Sequence, residues 1–299
     1  MSAPSGWLVI DKPLGLSSSR AVAIVRRSTG AARVGHAGTL DPLATGVLPV
    51  ALGEATKTTL YAMAGKKHYR FRVRWGIARD TDDSEGEIIG ESALRPDRAA
   101  IEAALPRFLG TIAQRPPVYS AIHVGGERAY RLARADRPPD LAPRPVEIRE
   151  LRLLDMPDGD HALLEARVGR GAYIRALARD LAVALGTLGH IVELRRLAVG
   201  RFTEKQAISL EIVAERGHIL AGCGYLLPIE TALDDIPALA LTATEAIRLC
   251  HGQCVTPSEP GFLDRLDEGT IVGALCDRML IAMARIEKGG LRPVRVINR

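Results

Sequence analysis

Residues 66–75 read KKHYRFRVRW, and from His68 onward bulky apolar side chains alternate with basic ones. A period of two residues is typical of a β-strand whose two faces meet different surroundings. One face carries Tyr69, Phe71, Val73 and Trp75, and the other carries His68, Arg70, Arg72 and Arg74. The stretch therefore predicts a strand that is buried on one side and wet and strongly basic on the other.

The sequence on both sides of this strand also contains patterns typical of strands and helices. Apolar runs predict further strands at residues 6–11, 47–52, 146–155, 161–168 and 190–200. Helices are expected over residues 20–29, from about residue 97, near 127–135 and over 171–186. Ser17 or Ser18 can cap the first helix and Gly30 can end it, whereas residues 33–46 are expected to be loop.

Length and composition set the broad class of the protein. The chain has 299 residues, of which 47% are hydrophobic and 25% charged, which is ordinary for a globular protein of about two domains. It is long enough to bury a core without disulfides or metal. No apolar run approaches the roughly 18 residues of a membrane span, and the N-terminus lacks the pattern of a signal peptide. We therefore expect a cytoplasmic protein.

Positive charge is concentrated in the first two thirds of the chain. Residues 1–203 hold 30 Lys and Arg against 22 Asp and Glu, a net charge of +8, and residues 204–299 hold 10 against 13, a net charge of −3. Together these give the total of +5. The basic excess indicates a polyanionic partner for the larger part, although solubility alone could account for it.

Two local patterns suggest metal sites and have simpler interpretations. Cys250-His251-x-x-Cys254 lacks the paired ligands of a zinc site, so we expect free, mostly buried thiols and no metal. Residues 78–86, ARDTDDSEG, superficially match a calcium loop, but the glycine comes one residue late. Their turn chemistry favours a hairpin.

The second informative stretch is RVGHAGTLDPLATGVLPV, residues 33–50, which contains a lone carboxylate at Asp41. Gly35, Gly38 and Gly46 permit positive φ or close backbone approach, and Pro42 favours an extended Asp41. The chain is thus expected to hold one carboxylate rigidly on an approachable loop. A turn aspartate that caps the loop is an equally good interpretation of these residues alone.

Five segments in order resemble the TruB-type tRNA pseudouridine synthases. They are VIDKPLGLSS (9–18), GHAGTLDPLATG (35–46), KKHYRFRVRWG (66–76), RPPVYSAIHVGGERAYRLAR (115–134) and GRGAYIRALARDL (169–181), followed by the strand VELRRLAVG (192–200). The resemblance covers residues 9 to about 200. It implies the detachment of uridine at N1 and its reattachment to the ribose through C5, a reaction without redox, metal or nucleotide cofactor.

By this resemblance, Asp41 is the catalytic carboxylate. It would either attack the sugar covalently or remove a sugar proton to give a glycal-like intermediate. Arg175 matches the arginine that keeps this carboxylate ionised, and a bidentate pair is expected. The alternative makes Arg175 a surface residue that shares a helix face with Arg179.

The resemblance assigns further residues to the pocket. Tyr69 would stack on an extruded base, with Tyr173 and Leu194 beside it, although core packing explains all three nearly as well. His36 would help to hold the RNA loop open, or serve only as a structural histidine. A final group, Lys12 and Pro13, would support the catalytic loop.

Contacts to the RNA backbone are expected from Arg70, Arg72 and Arg74 on the basic strand face and from Arg128, Arg131 and Arg134 in the insertion at residues 115–145. Some of these arginines could simply be solvated. The insertion departs from the family at His123, where a lysine is usual, so that a fixed charge becomes a titratable one.

The resemblance implies an α+β pseudouridine synthase fold, with a mixed, largely antiparallel sheet and flanking helices. Residues 1–235 would form the catalytic domain and residues 236–299 a reduced PUA-like β domain, whose acidic charge fits RNA binding poorly. Thr39 stands where ribosomal-RNA-type synthases typically carry arginine, and residues 41–46 read DPLATG where relatives that need a guide RNA tend to read DPKVTG. Both differences favour the stand-alone bacterial enzyme. The expected partner is the T arm of tRNA, with uridine 55 as the target, and the expected state is a monomer.

Two other functions remain open at this point. A tRNA-binding or tRNA-folding protein could lack the chemistry or not depend on it, although Asp41 with Arg175 argues against an inactive enzyme. A nucleoside hydrolase would need a second acid or base near the first motif, and the sequence offers none in a convincing context.

Overall fold

The computed structural model describes residues 4–217, 222–233, 236–258 and 261–298. Seven α-helices lie in these ranges: α1 Ser18–Thr29, α2 Thr59–Ala64, α3 Arg98–Ala104, α4 Ala129–Arg134, α5 Ile174–Ala184, α6 Leu210–Arg216 and α7 Ala243–Cys250. The strands of the same ranges, in chain order, are β1 Gly6–Lys12, β2 Val34–His36, β3 Ala44–Leu52, β4 Lys67–Trp75, β5 Ile77–Arg79, β6 Ile88–Glu91, β7 Gly110–Gln114, β8 His123–Val124, β9 Glu127–Arg128, β10 Arg144–Asp158, β11 His161–Val168, β12 Gly189–Val199, β13 Phe202–Thr203, β14 Ala238–Ala240, β15 Ile271–Cys276, β16 Met279–Glu287 and β17 Gly290–Val296.

The larger sheet runs in the order β1-β3-β12-β4-β11-β10-β7, with β2 paired to β3 and β13 to β12. Its pairs are antiparallel except for β3 with β12, which run parallel. The expected α+β architecture with a mixed, largely antiparallel sheet is confirmed. The smaller pairs β5-β6 and β8-β9 are hairpins outside this sheet, the first of them in place of the calcium loop.

Strand β4 lies near the middle of the sheet, between β12 and β11. Phe71, Val73 and Trp75 are buried, as the alternating pattern predicts. The arginines between them lie on the opposite face and are partly or fully exposed. The prediction of one apolar and one basic face is therefore confirmed.

Helix α1 begins and ends where its capping residues predict. The Ser17 side chain accepts a hydrogen bond from the amide of Arg20, and Gly30 closes the helix in the left-handed conformation at φ 64°. Farther along, Pro106 coincides with the change from α3 to a 3-10 turn, because proline cannot continue a regular helix.

Apolar side chains cover both faces of the sheet at the β1-β3 edge. Leu8 and Ile10 point into the main core with α1 and α5. Trp7 and Val9 point to the other side, into a second core that includes Leu280 and Met283 of β16. Residues 6–10 of β1 are therefore buried on both faces, and Trp7–Ile10 form a continuous apolar run.

A smaller sheet, in the order β14-β15-β16-β17, forms the C-terminal part with α7 packed on it. Two contacts attach its end to the 3-10 turn Gly53–Thr58 that follows β3: Lys57 Nζ donates to the carbonyl of Val296 at 2.6 Å, and the amide of Asn298 donates to Glu54 at 2.7 Å. A capping box between Thr242 and Glu245 begins α7. Among the described helices, none has both the length and the apolar character to cross a membrane.

Two expectations need correction. Residues 33–46 are not all loop, because Val34–His36 pairs with β3 and Ala44 already belongs to β3; three glycines and a proline conceal these short strands. The cysteines are free but not mostly buried, since Cys223, Cys250 and Cys254 are exposed.

Candidate active site

Asp41 lies on the loop between β2 and β3, at the edge where β3 meets β12. Its side chain is 37% exposed, so the carboxylate is open on one side while the loop around it is packed. Gly38 precedes it with φ 97° and Gly46 follows with φ 96°. Both glycines thus adopt a positive-φ backbone conformation that residues with a side chain rarely adopt.

Backbone contacts hold the loop on both sides of Asp41. The Ser18 hydroxyl donates to the carbonyl of Leu40 at 2.9 Å and accepts from its amide at 2.8 Å. On the other side, the Pro42 carbonyl accepts from the amide of Gly15 at 2.8 Å and from Lys12 Nζ at 3.4 Å. The segment between β1 and α1 thus fixes the neighbours of the carboxylate.

A buried arginine on the neighbouring strand β12 also holds this loop through hydrogen bonds to its backbone. Arg196 of β12 is 1% exposed and donates to the carbonyls of Val47, Gly38 and Thr39 at 2.8, 3.0 and 3.4 Å. Its own carbonyl would lie 2.3 Å from a Cβ placed on Gly46. Close approach of β12 therefore requires glycine at position 46.

Arg175, in the first turn of α5, is 4% exposed and touches three separate segments. Its Nε donates to Asp41 Oδ2 at 2.9 Å, its Nη1 to the carbonyl of Thr81 at 2.8 Å and its Nη2 to the carbonyl of Tyr119 at 2.9 Å. The predicted pairing with Asp41 is present, and the surface alternative for Arg175 is wrong. The expected bidentate geometry is also wrong, because the other two nitrogens bind backbone carbonyls.

A second carboxylate shares the charge of Arg175. Asp83 Oδ2 lies 3.5 Å from Arg175 Nη1, and its side chain is 4% exposed. Thr81 Oγ1 and the amide of Glu85 donate to Asp83 Oδ1 at 2.6 and 3.0 Å. Burial, with Asp83 and Asp41 nearby, raises the pKa of Glu85. The hairpin predicted at residues 78–86 therefore brings negative charge to the site.

A cavity of about 290 Å³ opens beside Asp41. Tyr69, Tyr173 and Leu194 line it together with Arg175 and Arg196. This volume is at the small end for ligand pockets, which start at roughly 300 Å³. Four of the residues expected to surround a base therefore meet in one concave site, next to Asp41.

Tyr173 is positioned through its backbone. The buried amide of Gln114 accepts from the Tyr173 nitrogen at 2.8 Å and donates to its carbonyl at 3.1 Å. Burial raises the pKa of the Tyr173 hydroxyl, so the ring stays neutral at physiological pH. Tyr69 packs partly against the main core and partly lines the cavity, which fits both roles considered for it.

His36 and Lys12 lie beside the Asp41 loop rather than in the cavity lining. Burial lowers the pKa of His36, with a further contribution from Arg196. Lys12 is fully buried and donates to the carbonyls of Pro13 and Leu16 at 2.9 and 2.7 Å. Burial lowers the pKa of Lys12 to about 8, and Asp41 opposes this shift. Pro13 itself is exposed.

The arginines expected at the RNA backbone lie in two places. Arg70 and Arg72 face away from the cavity and pair with Glu165 and Glu193, each at 3.2 Å, and Arg74 shares their face.

In the insertion, Arg128 ends β9 while Arg131 and Arg134 lie on α4. Arg134 lies over the ring of Tyr130, 5.9 Å from its centroid. His123 is exposed on β8. The three exposed arginines of the insertion are therefore freer to meet a ligand than those on the sheet.

Sequence reasoning missed Arg196, Asp83 and Ser18. Arg196 follows Leu194 by two residues, so strand alternation places both on the cavity face, and this could have identified it. Asp83 stands in an acidic turn that resembles any solvated turn. The contact of Ser18 with Leu40 joins residues 22 positions apart, and only the fold reveals it.

The arrangement suits chemistry at a single carboxylate. Arg175 places a positive charge beside Asp41 and orients it, and the cavity offers that carboxylate a ligand-sized space. Across the described residues, no group of three or more His, Cys, Asp or Glu side chains could hold a metal ion.

Comparison with known proteins gives consistent results. The profile of the "TruB family pseudouridylate synthase (N terminal domain)" matches residues 26–174, and that of the "tRNA pseudouridylate synthase B C-terminal domain" matches residues 175–234. A protein named tRNA pseudouridine synthase B from Rhodospirillum rubrum is 52% identical over 98% of this chain and 96% of its own. One of the same name from Caulobacter vibrioides is 49% identical over 99% and 97%.

Solved structures agree on the fold. A Cbf5-Nop10-Gar1 complex matches with a TM-score of 0.76 at 24% identity, over 98% of this chain and 85% of that one. An archaeal box H/ACA sRNP Nop10-Cbf5 complex matches with a TM-score of 0.75 at 23% identity, over 99% and 87%. Two matching profiles, half-identical relatives of full length and this shared fold lead to one conclusion: the chain belongs to the TruB family of pseudouridylate synthases.

Proposed function

We propose that this protein converts uridine 55 in the T loop of tRNA to pseudouridine, with Asp41 as the reacting carboxylate. The observation that carries the proposal is the open Asp41 carboxylate, held by buried Arg175 in a cavity lined by Tyr69 and Leu194. The names of the half-identical relatives supply tRNA as the substrate class.

The reaction rearranges one nucleotide without adding or removing a group. The N1–C1′ bond breaks, the base turns over, a C5–C1′ bond forms, and the C5 proton leaves while N1 gains one. Asp41 either forms an ester with C1′ or removes a sugar proton, and the contact with Arg175 orients the carboxylate for both routes. Tyr69 stacks on the extruded base, and the enclosed pocket limits competing hydrolysis.

The organisation proposed for the whole chain follows the same reasoning. Residues 1–235 act as the catalytic domain, and residues 236–299 as a reduced PUA-like domain. The separate apolar core of the smaller sheet, which includes Leu239, Leu249 and Val272, supports this division. We expect the protein to act in the cytoplasm as a monomer and without a guide RNA.

The decisive experiment uses a tRNA transcript tritiated at C5 of uridine, since bond formation at C5 expels the label. Wild-type protein is expected to release tritium stoichiometrically with the target uridine, and Asp41→Asn none, while both bind the transcript. A transcript with cytidine at position 55 should release nothing. If the wild type binds tRNA but releases no tritium, the protein is a tRNA-binding or tRNA-folding factor, and the proposed catalysis is wrong.

A further inference from the structure

The cavity wall carries four cationic side chains: Lys67, Arg170, Arg175 and Arg196. Two of these side chains are already engaged in hydrogen bonds within the protein. Arg175 and Arg196 each donate three hydrogen bonds to carbonyl or carboxylate oxygens. Neither Lys67 nor Arg170 is neutralised in this way, so their charge has no evident use in the protein alone.

Lys67 is a buried cation that has no counter-ion among the residues that the structure describes. It is 9% exposed and precedes Tyr69 by two residues on the same face of β4. Its ammonium donates to the carbonyl of Met63, and it forms no ion pair with any described residue. An ammonium has three hydrogens. Burial, together with the charges of Arg196 and Arg170, lowers the pKa of Lys67 to about 8.

Arg170 lies in the loop between β11 and α5, flanked by Gly169 and Gly171. It is exposed at the cavity. Within the described part of the chain, its guanidinium has neither a hydrogen-bond partner nor an ion-pair partner. Its charge acts unfavourably on Lys67, so the protein holds two like charges near each other at one wall. Such an arrangement is costly without a bound anion.

We propose that Lys67 and Arg170 together bind a phosphodiester group adjacent to the uridine in the cavity, a role that rests on the function proposed above. An extruded nucleotide brings its flanking phosphates to the pocket, because the base cannot leave the stack without its backbone. A compact ammonium and a planar guanidinium are the two groups that proteins use for phosphate oxygens. The pair fixes the backbone while Tyr69 and Leu194 hold the base.

The first test measures the affinity of the full-length protein for a T-arm stem-loop RNA over a range of salt concentrations. Lys67→Gln and Arg170→Gln are each expected to weaken binding about tenfold, the effect of one charge-assisted contact. Each should also make the dependence of the log binding constant on log salt concentration shallower, by about 0.7 in the magnitude of the slope. The loss should fall on KM more than on kcat. Lys288→Gln, on the hairpin turn of the smaller sheet, is the matched control with an unchanged slope.

The second test places a neutral methylphosphonate 5′ or 3′ of the target uridine. The wild type should lose affinity for one of these RNAs, and the same replacement should cost each of Lys67→Gln and Arg170→Gln less, because one of the two charges on the phosphate is already gone. Additive losses at both positions would overturn the proposal. So would variants that keep the wild-type Kd and salt slope but lose kcat, which would assign the charges to the reaction itself.

The two proposals can fail separately. A wild type that releases no tritium disproves the proposed catalysis, yet its methylphosphonate data still report on the phosphate contact. Conversely, normal tritium release with additive losses disproves the phosphate contact alone. Thermal melting checks that Lys67→Gln is folded, and exposed Arg170 tests the same idea with little risk to the core.

Discussion

The hydroxyl of Ser18 holds the backbone of Leu40 through two hydrogen bonds, donating to its carbonyl at 2.9 Å and accepting from its amide at 2.8 Å. The buried Ser18 side chain thus makes both backbone hydrogen bonds of Leu40, the residue before Asp41, which a neighbouring β-strand would otherwise make. The position of the reacting carboxylate depends on a serine that has no contact with a bound nucleotide in the proposed arrangement.

Ser18→Ala is therefore expected to impair catalysis without touching the pocket. The change leaves a buried amide and a buried carbonyl without partners, which should cost about 2–3 kcal/mol of unfolding free energy. Displacement of Asp41 should lower kcat by about tenfold to 100-fold. Tritium release at saturating RNA and urea unfolding measure the two effects. Ser19→Ala, at the exposed neighbouring position, is the control, and equal kcat values for both variants would contradict the prediction.

Arg175→Lys should lower kcat nearly as much as a substitution that removes the positive charge altogether. An ammonium on a single stem cannot replace three nitrogens that bind Asp41, Thr81 and Tyr119 in one plane. We expect kcat to fall by about 100-fold and hydrogen exchange to rise in residues 79–86 and 115–122. Arg167→Lys, at an exposed position on β11, is the control, because Arg179 of α5 also binds both segments, through Asp82 and the carbonyl of Arg115. Unaltered exchange in both segments would refute the proposed linkage.

Gly46→Ala is expected to prevent stable folding. The new Cβ would lie 2.3 Å from the carbonyl of Arg196, at a φ of 96°. The backbone conformation alone costs about 1–3 kcal/mol, and the collision with β12 adds to this. Gly186→Ala is the matched control, since its φ is 74° and no atom lies within 4 Å of the added Cβ. Chemical denaturation should show a much larger loss at position 46, and comparable losses would contradict the steric argument.

Asp82 should make stability depend on pH in an unusual direction. Burial raises the pKa of this carboxyl to about 6, although Arg179 opposes the shift. The folded state therefore binds more protons than the unfolded state between about pH 4 and 6, and the contribution of Asp82 to stability decreases as the pH rises through that range. The total change is about 3 kcal/mol at most.

Asp82→Asn removes this dependence and tolerates the positive φ of 59°. The variant should gain stability relative to the wild type as the pH rises from about 4 to 6. Urea unfolding of both proteins across this range measures the difference. A constant difference, or one of opposite sign, would show that Arg179 keeps Asp82 ionised throughout.

Much of the fold follows from local patterns in the sequence. The alternation in residues 66–75 specifies the faces of β4, and the Ser17 and Gly30 caps delimit α1, because both signals act over a few neighbouring residues. Short strands such as Val34–His36 lack such a signal. They exist because β3 supplies a partner, and pairing overrides the glycine-rich composition.

The site is predictable only in part. Asp41 and Arg175 were identified from the resemblance and meet at 2.9 Å, as expected. The contacts of Asp83 and Arg196 follow from the meeting of segments far apart in sequence, which local patterns do not encode. The same limit applies to the surface. The alternating pattern correctly predicts that Arg70 and Arg72 lie on the solvent-facing side of β4, but it does not predict their partners Glu165 and Glu193, which lie on neighbouring strands.

The span between Asp41 and its guanidinium partner has a consequence for protein synthesis. The two residues are 134 positions apart, and Arg175 also binds segments 94 and 56 positions before it. A ribosome that has made the whole catalytic loop has therefore produced only an isolated carboxylate without its cation. In the proposed mechanism, the growing chain modifies RNA only after α5 has emerged and docked, so that activity would begin late in translation.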